Sequence, residues 1–116
     1  MKVIIAGGRD YENYDVLIDA VKESLFEITT VVSGGANGVD ALGKRYALEN
    51  KKELDVHEAN WKAHGRGAGP ARNKKMAENA EALIAIWDGQ SKGTKNMIDT
   101  ATKKGLLVFV KRVEPS

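Results

Sequence analysis

The chain has 116 residues, of which 42% are hydrophobic and 29% charged, and a net charge of +2. That is the composition of one ordinary globular domain spanning residues 1–116, able to bury roughly two thirds of its unfolded surface. With 16 acids among 18 bases and no cysteine, it argues against a dedicated nucleic-acid binder and excludes disulfides, a thiolate nucleophile and cysteine-ligated zinc.

The chain opens on a strand, with no basic leader and no long apolar run. A cytoplasmic location without a membrane partner is therefore expected. Lys2 to Ala6 (KVIIA) is a continuous apolar run, as a strand covered on both faces requires. It ends in Gly7-Gly8-Arg9-Asp10. A helix capped near Asn13 follows, with Leu17, Ala20, Val21, Ser24, Leu25 and Ile28 along its buried stripe. Thr29 to Val32 forms the second strand and runs into Ser33-Gly34-Gly35-Ala36-Asn37-Gly38, a turn without side-chain bulk. Its free N–H groups, with those of the helix behind it, favour an anion. Asn37 is the expected N-cap of that helix, which runs to about Asn50 with Asp40 in its first turn and Val39, Leu42, Tyr46 and Ala47 inward.

Leu54 to Glu58 alternates in period two and reads as a third, more exposed strand. Ala59 to Gly69 fits neither period and reads as a loop, with Trp61 a candidate for a lid over the site. Pro70 is expected to open a helix reaching about Asn79, which puts Arg72 and Asn73 in its first turn. Glu81 to Trp87 holds the fourth strand. Asp88-Gly89-Gln90-Ser91-Lys92-Gly93-Thr94 is another polar glycine turn. The last helix, with Met97, Ile98 and Ala101 inward, stops at Gly105, and Leu106 to Val110 is the fifth strand.

Alternating strands and helices imply an α/β, Rossmann-like three-layer sandwich with a mostly parallel five-stranded sheet, expected in the order 3-2-1-4-5. This order sets the C-terminal ends of strands 2, 1 and 4 side by side. The glycine turns then share one rim. Any one of them also forms without a ligand; three together favour binding.

Two phosphate motifs come close and fail. Gly38 to Arg45 fits G-x-x-x-x-G-K, but Arg45 replaces the magnesium-holding hydroxyl and the match lies inside a helix. In the dinucleotide fingerprint, Ser33 stands where the first glycine belongs. An Arg in the first turn of a helix opposes the dipole, so Arg72 there fits a shared anion, which guanidinium grips bidentately. Asp40 and Asp88 either accept from ribose hydroxyls or form caps and turns; Ser91 and Thr94 either bind phosphate or cap the last helix. Trp61 and Trp87 either stack on a base or pack. His57 and His64 lack the further donors a metal needs. Ser33 has no evident general base. Three helix N-termini supply roughly 3–6 kcal/mol toward an anion, short of the roughly 8 of micromolar affinity, so a nucleotide suits the rim better than bare phosphate.

GGRD, SGGANGVDALGKRYA, AGPARNKKMA and WDGQSKGTKNMI together resemble the YspA/YpsA-related branch of the SLOG superfamily, which joins the Smf/DprA proteins to the Lonely Guy (LOG) phosphoribohydrolases. The resemblance covers nearly the whole chain. It implies a Rossmann-like fold whose glycine turns bind a nucleotide or a nucleotide-derived ligand, such as an ADP-ribose or NAD derivative, and a homodimer. No cofactor or metal is expected. The implied ligand-binding residues are Gly7, Gly8, Arg9, Asp10, Ser33, Gly34, Gly35, Gly38, Asp40, Arg72, Asn73, Asp88, Gly89, Ser91, Gly93 and Thr94. LOG enzymes also carry a glutamate in a PGGxGTxxE motif. Here Gly93-Thr94 matches the GT, but Met97 holds the glutamate position and the PGG is replaced. An N-glycosidic hydrolase is thus an alternative without an assigned catalytic residue; DprA-like single-strand DNA binding is a second.

Overall fold

A computed structural model describes residues 1–115. The strands are β1 (Lys2–Gly7), β2 (Thr30–Ser33), β3 (Glu53–Val56), β4 (Ala82–Trp87) and β5 (Leu107–Arg112); the helices are α1 (Tyr14–Ser24), α2 (Val39–Glu49), α3 (Trp61–His64), α4 (Ala68–Glu78) and α5 (Lys92–Lys103). All five strands are parallel, in the order β3-β2-β1-β4-β5. The central strand β1 pairs Val3 with Val31 of β2 on one side and with Ala82 of β4 on the other.

Side chains alternate across the sheet and build two cores. Val3, Ile5, Val31, Ile84 and Ile86 face α1 and α2, meeting Leu17, Ala20, Val39, Tyr46 and Ala47. Ile4, Ala6, Val32, Leu83 and Ala85 face α4 and α5, meeting Met76, Ala77, Met97 and Ala101. Each fully buried isoleucine, valine or leucine contributes about 1.5–3 kcal/mol. This two-sided burial is why β1, β2 and β4 are unbroken apolar runs. Gly43 lets α2 lie close on the sheet, since a Cβ there would meet Ile5 Cγ2 at 3.1 Å. The glycine of the near-miss phosphate motif is thus a packing residue.

Four expectations shift. Helix α1 is capped by Asn13, whose side chain accepts from Val16 N–H, but it ends at Ser24. The Ser24 hydroxyl bonds the Val21 carbonyl at 2.7 Å and accepts from Phe26 N–H, which ends the helix locally. Leu25 then takes φ 62° and is exposed, while Ile28 is buried from the following loop. Asn37 does not cap α2; Gly38 takes that place, with φ 71° and no side-chain cap bond. Residues 59–69 are not simply a loop. Asn60 Oδ1 accepts from Ala63 N–H and starts α3, a 3₁₀ turn covers Gly65–Gly67, and α4 begins at Ala68. Pro70 is therefore the third residue of α4, where its missing N–H still costs no helical bond. Arg72 and Asn73 fall in the second turn, beyond the reach of the first-turn dipole argument.

Candidate functional site

The carboxyl ends of β2, β1 and β4 lie side by side, as their order in the sheet requires. The turn after β1 is held by α2, because Val39 N–H donates to the Gly8 carbonyl at 3.1 Å. Gly38 makes this contact achievable: a Cβ there would run into the Gly8 carbonyl and the Arg9 backbone, and its φ of 71° suits glycine alone. The first amide of α2 is thus already satisfied within the protein. So is that of Ala36, which donates to Asp40 Oδ2 at 3.1 Å, and that of Gly35, which donates to Ser33 Oγ at 3.2 Å. The expected row of free amides is in large part engaged by the chain itself.

Between the β1 turn and the helices of the opposite layer lies a hollow of about 200 Å³. Its walls include Gly7 and Arg9 from the β1 turn, Asp40 from α2, Arg72 and Asn73 from α4, and Ser91, Gly93 and Thr94 at the amino end of α5. Met76 and Met97 supply its apolar lining. The side chain at the LOG glutamate position is therefore buried beneath this hollow and carries no proton.

Arg72 is half-buried and precisely held. Its Nη1 donates to the Gly34 carbonyl at 3.0 Å and its Nε to Asn73 Oδ1 at 3.1 Å. Buried Asn73 in turn donates to Asn96 Oδ1 at 2.9 Å and to the Gly93 carbonyl, tying α4 to α5. Of the five guanidinium donors, these bonds use two and leave three without a protein acceptor among the described residues. Burial pushes the Arg72 guanidinium down from its ordinary value; Asp40 opposes that shift and Arg9 adds to it. Burial pushes the Asp40 carboxyl up, while the Ala36 amide and the Arg72 and Arg9 charges pull it down. Two cations and one buried acid thus share the hollow.

Two further hollows adjoin it. One, of about 250 Å³, is bounded by Gly8, Arg9, Asp10, Tyr11, Asp88, Ser91 and Glu114. The other, of about 290 Å³, is bounded by Arg9, Gly34, Gly35, Glu58, Trp61 and Arg72. Three expected site residues stand apart. Ser33 is buried and its hydroxyl serves the Gly35 amide. Gly38 opens toward Asn37 and Ala41 on another side of the β1 turn. Gly89 lies under the Arg112 guanidinium, and its φ of 82° is one that glycine adopts readily. Asp88 forms its own turn, with Oδ1 accepting from the Gln90 and Ser91 amides at 2.8 Å each, which lowers its pKa. Ser91 caps α5 by accepting from Thr94 N–H. Trp87 packs, donating to the Ser91 carbonyl with Arg112 5.5 Å from its ring centroid. His57 pairs with Asp55 at 3.0 Å. Asn96 was not expected at the site and offered no signal in sequence; Glu58, expected at the end of the third strand, lies in the loop after β3, which ends at Val56.

A five-stranded parallel sheet with helices on both faces and polar hollows at the β1/β4 switch defines a Rossmann-like α/β domain. Among the described residues, no helix is long and apolar enough to cross a membrane. The chain belongs to the YspA, cpYpsA-related SLOG family, whose model matches residues 1–64. It is 32% identical over 118 aligned positions to the Gene 61 protein of Mycobacterium phage D29, covering 93% of this chain and 94% of that one. Its fold is similar to the X-ray structure of DNA processing protein A (DprA) from Streptococcus pneumoniae, with a TM-score of 0.75 and 20% identity. That match covers 94% of this chain but 49% of DprA, so the chain spans about half of that structure's length.

Proposed function

We propose that the hollow between the β1 turn, α4 and the start of α5 binds a nucleotide or a nucleotide-derived ligand. The ADP-ribose and NAD derivatives implied by the family resemblance are one such class. The observation that carries this reading is Arg72, half-buried, anchored on two sides, and left with three unused donors at the hollow. A bound phosphate would accept from those donors bidentately and offset the mutual repulsion of Arg72 and Arg9. Gly93 and Thr94 bring the amino end of α5 to the same space, where its dipole favours an anion. Asp40 is placed to accept from ribose hydroxyls.

The test is mass spectrometry of the small molecule that co-purifies with the protein, compared with the Arg72→Ala variant. A phosphorylated nucleotide species retained by the wild type and lost from the variant is expected. Equal retention by both removes Arg72 from the site. The homodimer is part of the same proposal and is checked by the sedimentation mass in solution.

Hydrolysis of the N-glycosidic bond is the second reading, favoured by Asp40, a buried carboxyl in the hollow where Met97 offers none. Incubation with nucleoside monophosphates and NAD derivatives decides it. Free base that disappears in Asp40→Asn supports hydrolysis, and none at high protein concentration removes it for those substrates.

A further inference from the structure

The hollow beside the phosphate position carries information about the base, and this inference rests on the nucleotide reading above. It shares Arg9, Ala36 and Arg72 with that position, so a ligand held by Arg72 reaches both. Two of its walls differ from everything else on the rim. Trp61 is the largest aromatic side chain there and is 52% exposed. Its ring edge lies beside α4, where a Cβ at Gly69 would come within 3.7 Å of Cη2, and the Arg9 guanidinium lies 5.8 Å from its centroid. An accessible indole beside the bare backbone of Gly34 and Gly35 suits a flat, aromatic guest.

The second wall is Glu58. Its stem lies over Gly35, where a Cβ would meet Glu58 Cγ at 3.2 Å and Oε1 at 3.7 Å. Among the described residues it forms no salt bridge, although Arg9 and Arg72 line the same hollow. An ionised carboxylate only accepts hydrogen bonds. The base that suits it presents two adjacent donors on one edge, and guanine does so with N1–H and the 2-amino group. Adenine and cytosine set a ring-nitrogen acceptor beside their amino group, and uracil flanks its single N–H with two carbonyls. Each of these places a lone pair against the carboxylate.

We propose that Trp61 and Glu58 form a nucleobase subsite, Trp61 stacking on the base and Glu58 selecting guanine, so that among the nucleotide ligands guanine nucleotides are favoured over the adenine-bearing ADP-ribose and NAD derivatives. The base takes the face of Trp61 that Arg9 now covers, which frees Arg9 to join Arg72 on the phosphate.

Calorimetric titration with GMP, IMP and AMP tests this. Inosine keeps N1–H and lacks the 2-amino group, so it isolates the second bond. GMP is expected to bind about tenfold or more tighter than IMP or AMP, the scale of one hydrogen bond to a charged group. Glu58→Gln, at an exposed position, should abolish the GMP preference: GMP and IMP lose hydrogen bonds to a charged acceptor, while AMP, whose lone pair no longer faces a carboxylate, keeps or gains affinity. Trp61→Leu should weaken all three by about tenfold. Equal affinities for the three nucleotides in the wild type, a preference for AMP, or a GMP preference surviving in Glu58→Gln overturns the guanine assignment and leaves the phosphate site standing. Unchanged binding in Trp61→Leu overturns the stacking role. Failure of all three nucleotides, and of ADP-ribose and NAD in the same titration, to bind overturns the nucleotide reading itself.

Discussion

Arg72 Nη1 donates to the carbonyl of Gly34 at 3.0 Å, joining the helix of one layer to the turn that ends β2. That contact exists because Gly34 has no side chain. A Cβ would stand 2.6 Å from Nη1 and 2.8 Å from Asp40 Oδ2. Both obstructing groups are ends of side chains, so they swing aside at small cost. Gly34→Ala is therefore expected to unfold within about 1 kcal/mol of wild type and to lose about tenfold in affinity for GMP. Paired chemical denaturation and calorimetry read both quantities. Loss of stability with affinity intact would mean that the bond to Gly34 matters only to the fold.

Gly38→Ala should behave in the opposite way. The obstruction there is backbone of the β1 turn, which cannot yield, and the positive φ adds its own strain. A loss of more than about 2 kcal/mol is expected, visible as a lower urea midpoint whether or not nucleotide is present. A midpoint equal to wild type would show that the β1 turn is softer than its contacts imply.

These two glycines show what was legible in the sequence. The strand order followed from four apolar runs and one alternating segment separated by helical patterns, because burial on both faces leaves a plain signature at β1, β2 and β4. The convergence of the Gly7-Gly8, Gly34-Gly35 and Asp88-Gly89 turns followed from that order. What stayed hidden was decided by contacts between distant segments. Gly38 displaces Asn37 from the cap because α2 docks on the Gly8 carbonyl. The start of α4 at Ala68 lies in a glycine-rich stretch with weak helix propensity, which packing overrides. Helix α3 has only four residues, too few for a period. The Asn73–Asn96 bond spans 23 residues of chain, and no local pattern announces it.

Asn73→Ala removes the acceptor of Arg72 Nε and strands the Asn96 side chain. The position is 5% exposed, so the lost bonds are not fully replaced by water. A destabilisation of about 1–3 kcal/mol is expected, with weaker nucleotide binding because Arg72 loses one of its two anchors. Arg72→Ala should cost binding without comparable loss of stability. If Asn73→Ala unfolds more easily yet binds as wild type, the Gly34 carbonyl alone is enough to orient Arg72.

The two rim aspartates should titrate against each other in their effect on stability. Asp40 has its pKa raised, chiefly by burial, so the native protein holds that proton more tightly than the unfolded chain does. Its contribution to stability is complete below the ordinary value of 3.8 and disappears as pH rises through the raised native value. Asp88 has its pKa lowered, chiefly by the Ser91 and Gln90 amides, so its contribution is present above 3.8 and fades as pH falls through the lowered native value. Relative to wild type, Asp40→Asn should therefore gain stability as pH is raised from about 3 to about 7, and Asp88→Asn should lose it. Urea midpoints measured across that interval decide the matter. Parallel curves for wild type and Asp40→Asn would mean that the Ala36 amide, Arg72 and Arg9 fully offset the burial of this carboxylate, and the acid in the hollow would then titrate as it does in the unfolded chain.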